Sequence, residues 1–197
     1  MFEKLMVVAL GGLFGFSLTL LKENRAAKKS RHVETNYLAI IVTSKLEKFI
    51  SDCRIVVTDR GYTDAEGERY SGVSIPSFSP LELEVEWKVL EQDLLYDILS
   101  LPQLIHQVES YISSVGEHAF PPDYDEYYTA RTSKFASLGL IAIQLSEQLR
   151  TIGKLPMRKI EDWDDKTTFI HHLQESEEIE LNRFASRAHF FESQKTN

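Results

Sequence analysis

Three groups of ionisable side chains in the chain have types and spacings that could do chemistry. His171 and His172 are followed by Glu175, so a histidine and a carboxylate stand at i and i+4, close enough on a helix to share a divalent cation. Asp123, Asp125 and Glu126 alternate with Tyr124, Tyr127 and Tyr128 in an acidic, aromatic knot. Glu161, Asp162, Asp164 and Asp165 surround Trp163 and would suit a basic partner or a hard cation. If Asp123, Glu126, His171 and Glu175 met in one pocket, metal-assisted hydrolysis would be the reaction class they serve. Two ligands do not make a metal site, however, and His106 and His118 would have to converge from elsewhere in the chain. Plainer roles fit each group. Carboxylates at helix starts cap N–H groups and meet the macrodipole, tyrosines anchor cores, and acidic runs are solvated.

The motifs of common active sites are missing. There is no G-x-G-x-x-G, G-x-S-x-G, S-x-x-K or H-E-x-x-H, and Gly153-Lys154 lacks the upstream glycine of a phosphate loop. Asp64, Glu66 and Gly67 have the residue types of a calcium loop without its ligand spacing. No catalytic residue, metal ligand or cofactor is assigned from the sequence. Cys53 is the one cysteine, too few for an intrachain disulfide, and is expected buried on a helix and unreactive.

The elements that would position these groups are mainly helical. Leu21 to Arg60 holds neither glycine nor proline, and Ala39, Val42, Leu46, Phe49, Cys53 and Val56 recur at spacings of three and four, widened by Leu38, Ile41 and Ile50. Residues 58–87 break that period. Gly61, Gly67, Gly72, Pro76 and Pro80 mark a loop or small β insert, and the alternation from Leu81 to Trp87 predicts a short strand. A helix is expected from Val89 to Leu101, with Pro102 starting another that ends at Gly116.

Pro121-Pro122-Asp123 signals the next start, with Asp123 as N-cap. From it Tyr124, Tyr128, Arg131, Phe135, Leu138, Ala142, Leu145, Leu149 and Ile152 form a heptad seam stopped by Gly153 and Pro156. Arg131 is the one polar residue in the seam, which places that end near solvent or an acidic partner. A last helix begins near Asp164 or Asp165, with Phe169, Leu173, Leu181, Phe184, Ala188 and Phe191 as its apolar stripe. Connections this short predict an antiparallel helical bundle over residues 37–192, followed by a disordered tail at 193–197.

What precedes the bundle is of another kind. Leu5 to Leu21 is a run of seventeen uncharged residues, about 25 Å long as a helix and close to the ~30 Å hydrocarbon core. Residues 1–21 therefore read as a transmembrane anchor and 22–36 as a basic juxtamembrane stalk continuing into the bundle. A cleaved signal peptide fits less well, because cleavage after Ala26 or Ala27 would put Asn24 or Arg25 at the −3 position. Gly11 and Gly15 have the spacing of a transmembrane dimer face. Lys22, Arg25, Lys28, Lys29 and Arg31 form a collar suited to anionic lipid headgroups and place the C-terminal domain in the cytoplasm.

Residues 1–31 carry six Lys/Arg against two Asp/Glu, net +4, while residues 32–197 carry 16 against 28, net −12. A domain that acidic repels nucleic acid, so no nucleic-acid partner is expected. The first expectation is therefore a single-pass membrane protein whose helical domain binds another protein or a second copy of itself. Metal-assisted hydrolysis is the alternative, and a membrane-perturbing oligomer built on Gly11 and Gly15 is a second alternative.

Overall fold

A computed structural model describes the backbone of residues 2–119, 124–157 and 164–195; the side chains of residues 2–21, 24, 26, 27 and 188–195 lie outside the described set. Among the described residues there are four α-helices and one two-stranded sheet: α1 (Phe2–Thr58), β1 (Tyr62–Thr63), β2 (Arg69–Tyr70), α2 (Gln92–Gly116), α3 (Asp125–Ile152) and α4 (Asp165–Lys195).

α1 is a single unbroken helix, as the lack of glycine and proline after Leu21 predicts. Its expected stripe is the core face: Leu38, Ala39, Val42, Leu46, Phe49, Ile50, Cys53 and Val56 are all buried. α3 is the hub, packing along α1, α4 and α2. It runs antiparallel to α1, since Gly153 at its end lies beside Ala39 while Arg131 near its start reaches Val56. The heptad seam is buried from Tyr124 to Leu149, and Ile152 alone of its members is exposed. α4 returns antiparallel along α3, with Lys166 near Glu147 and Arg187 near Glu126.

Three expectations about these elements need correction. Leu81–Trp87 forms no strand; short 3-10 turns at Pro80–Glu82 and Trp87–Val89 bracket it. The strands lie earlier, in a hairpin pairing Tyr62 with Tyr70 and Thr63 with Arg69. Pro102 does not start a new helix, because α2 runs through it. A mid-helix proline costs about 3 kcal/mol, but Ile98, Leu101 and Ile105 are buried on both sides of it and hold the two halves in register. Finally, the apolar stripe of α4 is covered only at its start. Phe169 is fully buried, whereas Leu181 and Phe184 are 68% and 74% exposed. Ala188 and Phe191 lie outside the described side chains, and α4 itself continues to Lys195, into the segment read as a tail.

Among the described residues no helix is long and apolar enough to cross a membrane. The anchor expected at Leu5–Leu21, with Gly11 and Gly15, falls in the part of α1 whose side chains lie outside the described set. Lys22, Arg25, Lys28, Lys29 and Arg31 follow on α1, all exposed.

Candidate functional site

The C-terminal end of α1, the hairpin, the first turns of α3 and the middle of α4 enclose a cleft of about 910 Å³. Its polar walls are of both signs. Asp59, Asp125, Glu126 and Glu175 face Arg60, Arg69, Arg183 and Arg187, with Tyr128 and His172 among them.

Asp59, on the cleft wall, is held from the buried side by Arg131. The Arg131 side chain is only 2% exposed, and its Nη1 donates to Asp59 Oδ2 at 2.9 Å while Nη2 donates to the carbonyl of Val73 at 3.0 Å. Asp59 accepts in addition from the Gly61 N–H, the Ser71 hydroxyl and the Gly72 N–H, at 2.9, 2.9 and 3.0 Å. Burial pushes the Asp59 carboxyl up, but the Gly61 N–H, the Ser71 hydroxyl and the Arg131 guanidinium together outweigh it and hold the group below the usual carboxylate range. Arg131 was expected near solvent or an acidic partner; it is buried, and the partner is Asp59.

The hairpin is strapped to α3 by two further contacts and closed by bonds of its own. The Tyr124 hydroxyl donates to the Glu68 carboxylate, and that hydrogen bond pushes the phenol up to about 12. The Arg69 guanidinium lies 4.0 Å above the centre of the Tyr128 ring and donates to the Arg60 carbonyl at 3.0 Å from Nε. At the hairpin tip the Asp64 carboxylate accepts from the N–H groups of Glu66 and Glu68 at 3.1 and 2.8 Å, with Gly67 at φ +88°. The segment with calcium-loop residue types is therefore an Asp-closed turn. Gly61 is constrained twice: its φ is +66°, and a Cβ there would stand 2.2 Å from the Tyr128 hydroxyl.

The three sequence constellations meet only in part: Asp125 and Glu126 share the cleft with His172 and Glu175. Asp123 lies outside the described residues; Asp125 approaches Arg69 at 3.8 Å, and Glu126 approaches Arg187 at 3.7 Å across the cleft. Tyr127 and Tyr128 meet edge to face, ring centres 5.1 Å apart. Glu161, Asp162 and Trp163 also lie outside the described residues. Asp164 caps α4, accepting from the Lys166 N–H at 3.1 Å and from the Thr167 hydroxyl, and these bonds, the Thr167 hydroxyl foremost, hold its carboxyl low. Asp165 is buried against Arg54 at 2.9 Å.

The histidine group does gather. The ligand atoms of His171, His172 and Glu175 all lie within 4.8 Å of one another. Glu126, His172 and Glu175 line the same cleft, whereas His106 and His118 do not; His106 stands 3.8 Å from Glu109 on α2. Cys53 is buried, as expected, and desolvation, with Asp52 beside it, drives its thiol up.

Sequence reasoning missed Asp59, Glu68 and Arg69. The available signal was Arg131: a guanidinium in a heptad seam needs an acid, and the acid nearest the facing end of α1 is Asp59. Compared with known proteins, the chain matches no family model, no curated protein and no solved structure.

Proposed function

We propose that the chain is a membrane-tethered helical interaction module, with residues 5–21 as the tether and the acidic bundle held on the cytoplasmic side by the basic collar. One observation carries this reading: α1 is one helix from Phe2 to Thr58, so the uncharged stretch and the core share a rod of roughly 85 Å. Its C-terminal part is the core wall of the bundle, while Lys22, Arg25, Lys28, Lys29 and Arg31 stand exposed before it. A bundle fixed to a stiff stalk is held at a set height and orientation above a bilayer, which favours recruitment of a partner over free diffusion. The partner-facing region is the cleft and the adjoining α4 surface, where Leu181 and Phe184 are exposed.

The test is fractionation of cells expressing the full chain, followed by protease treatment of sealed inside-out vesicles and affinity purification in mild detergent. Expected are resistance to alkaline extraction, digestion of the bundle from the cytoplasmic side, and co-purification of a stoichiometric partner or second copy. A full-length product recovered in the soluble fraction, or only lone monomer under several mild conditions, overturns the reading.

Metal-assisted hydrolysis is the second reading, supported by the joint placement of Glu126, His172 and Glu175 on one cleft.

A further inference from the structure

One turn of α4 presents three ligating side chains. His171 and His172 are adjacent and Glu175 follows one turn on, so the i, i+3 and i, i+4 relations of the helix bring all three to one patch of its surface. Their rings meet edge to face with centres 5.5 Å apart, and His172 Nδ1 stands 3.3 Å from Glu175 Oε2. His172 is the fixed member, its side chain 24% exposed against the cleft wall; Glu175 is 56% exposed and free to rotate.

We propose that His171, His172 and Glu175 bind a borderline divalent transition-metal ion of the Zn²⁺, Ni²⁺ or Co²⁺ class. The donor set decides the class, because two imidazole nitrogens and one carboxylate oxygen suit these ions, while Ca²⁺ and Mg²⁺ take six or more oxygens. Distance allows it. An ion with bonds of about 2.0–2.2 Å holds neighbouring ligands on the order of 3 Å apart, and the present spread of 4.8 Å closes by χ rotation of the exposed His171 and Glu175 side chains. The helix backbone need not move. Charge assists: Glu177, Glu178 and Glu180 follow on the same helix and raise the local cation concentration. Three protein ligands leave at least one position open to the cleft, the coordination of an accessible centre rather than a closed structural one. The proposal concerns ion binding alone and rests on neither the tether nor hydrolysis.

Equilibrium titration of the full chain in mild detergent tests it, with CoCl₂ followed by visible absorption and ZnCl₂ followed by competition and heat. One equivalent is expected to bind, with no competition from CaCl₂ or MgCl₂. Replacing a direct ligand should weaken binding by no less than the ~10–100-fold typical of an outer-shell change, so H171A and E175Q should each lose about tenfold or more. H106A, at the two-membered His106–Glu109 pair, should bind as the parent does. His171 and Glu175 are exposed, so both variants keep the fold, which circular dichroism verifies. No cobalt spectrum and no zinc heat, or affinity unchanged in both H171A and E175Q, overturns the proposal.

Discussion

Arg131 and Asp59 are 72 residues apart in the chain and meet at 2.9 Å behind the cleft wall that Asp59 lines. The guanidinium also reaches the carbonyls of Val73, at 3.0 Å, and Val56, at 3.5 Å. A single side chain of α3 thereby ties down the end of α1 and the strand-to-turn segment after the hairpin. The pair is asymmetric in its alternatives. Asp59 holds three other donors, whereas Arg131 without Asp59 keeps only carbonyl oxygens for a buried charge.

That asymmetry predicts unequal losses. Asp59→Ala leaves the buried guanidinium uncompensated and should cost about 3–5 kcal/mol, while Arg131→Met, which keeps much of the volume, should cost roughly 1–3 kcal/mol. Urea unfolding at neutral pH measures both, and equal losses would show that the charge imbalance is not what matters. The pH dependence has a fixed sign. The folded Asp59 carboxyl lies below its unfolded value of about 3.8, so its contribution is present above that pH and is lost as pH falls through the folded value. Asp59→Asn should therefore flatten the acid limb of the stability profile below about pH 4 and leave the neutral slope unchanged.

Why the helices were readable and this clasp was not has a physical explanation. Val42, Leu46, Phe49 and Phe135, Leu138, Leu149 are buried because period and hydrophobicity are local properties, written in consecutive residues. The Arg131–Asp59 pairing depends on which helix ends meet, which no local pattern carries. Periodicity also identifies an apolar face without saying whether a neighbour covers it. Leu181 and Phe184 share a stripe with Phe169, yet only Phe169 lies against α3. The alternation from Leu81 to Trp87 likewise had no second strand to pair with. At the site, the Asp164 carboxylate as a helix cap was legible from helix-start chemistry, and the His171–Glu175 spacing from helix geometry. The cleft that joins Glu175 to Glu126 was not, because it is made by the meeting of four separate elements.

The end of α3 divides two roles between neighbouring residues, Gly153 and Lys154. Gly153 has φ −80°, an ordinary helical value, and the left-handed residue is Lys154 at φ +49°. Lys154 and Leu155 close the end by donating to the Thr151 and Arg150 carbonyls at 3.3 and 2.8 Å, the double bond of a Schellman cap. Gly153 is needed for space, since a Cβ there would stand 2.5 Å from the Cβ of Ala39. Lys154→Gly should stabilise by about 0.5–1 kcal/mol by relieving left-handed strain. Gly153→Ala should destabilise by about 1–3 kcal/mol through overpacking against α1. Thermal and urea unfolding of the two variants give opposite signs, and a stabilised Gly153→Ala would mean that α1 and α3 are not so close there.

The contact of α3 with α4 at Gly139 and Phe169 sets a second steric demand, in which two effects of comparable size oppose each other. A Cβ at Gly139 would lie 2.3 Å from Phe169 Cε2, and Phe169 is fully buried, so its ring cannot swing clear. Gly139→Ala gains about 1 kcal/mol of helix propensity. Overpacking costs about 1–3 kcal/mol, and an overlap this deep belongs at the upper end, for a net loss of roughly 1–2 kcal/mol. Phe169→Leu removes the offending ring atoms at the expense of a small cavity. The double variant should then be more stable than the sum of the single losses by about 1 kcal/mol or more, read from urea unfolding as a double-mutant cycle. Strict additivity would place the cost of Gly139→Ala somewhere other than this contact, and with it the reason for a glycine in the middle of the central helix.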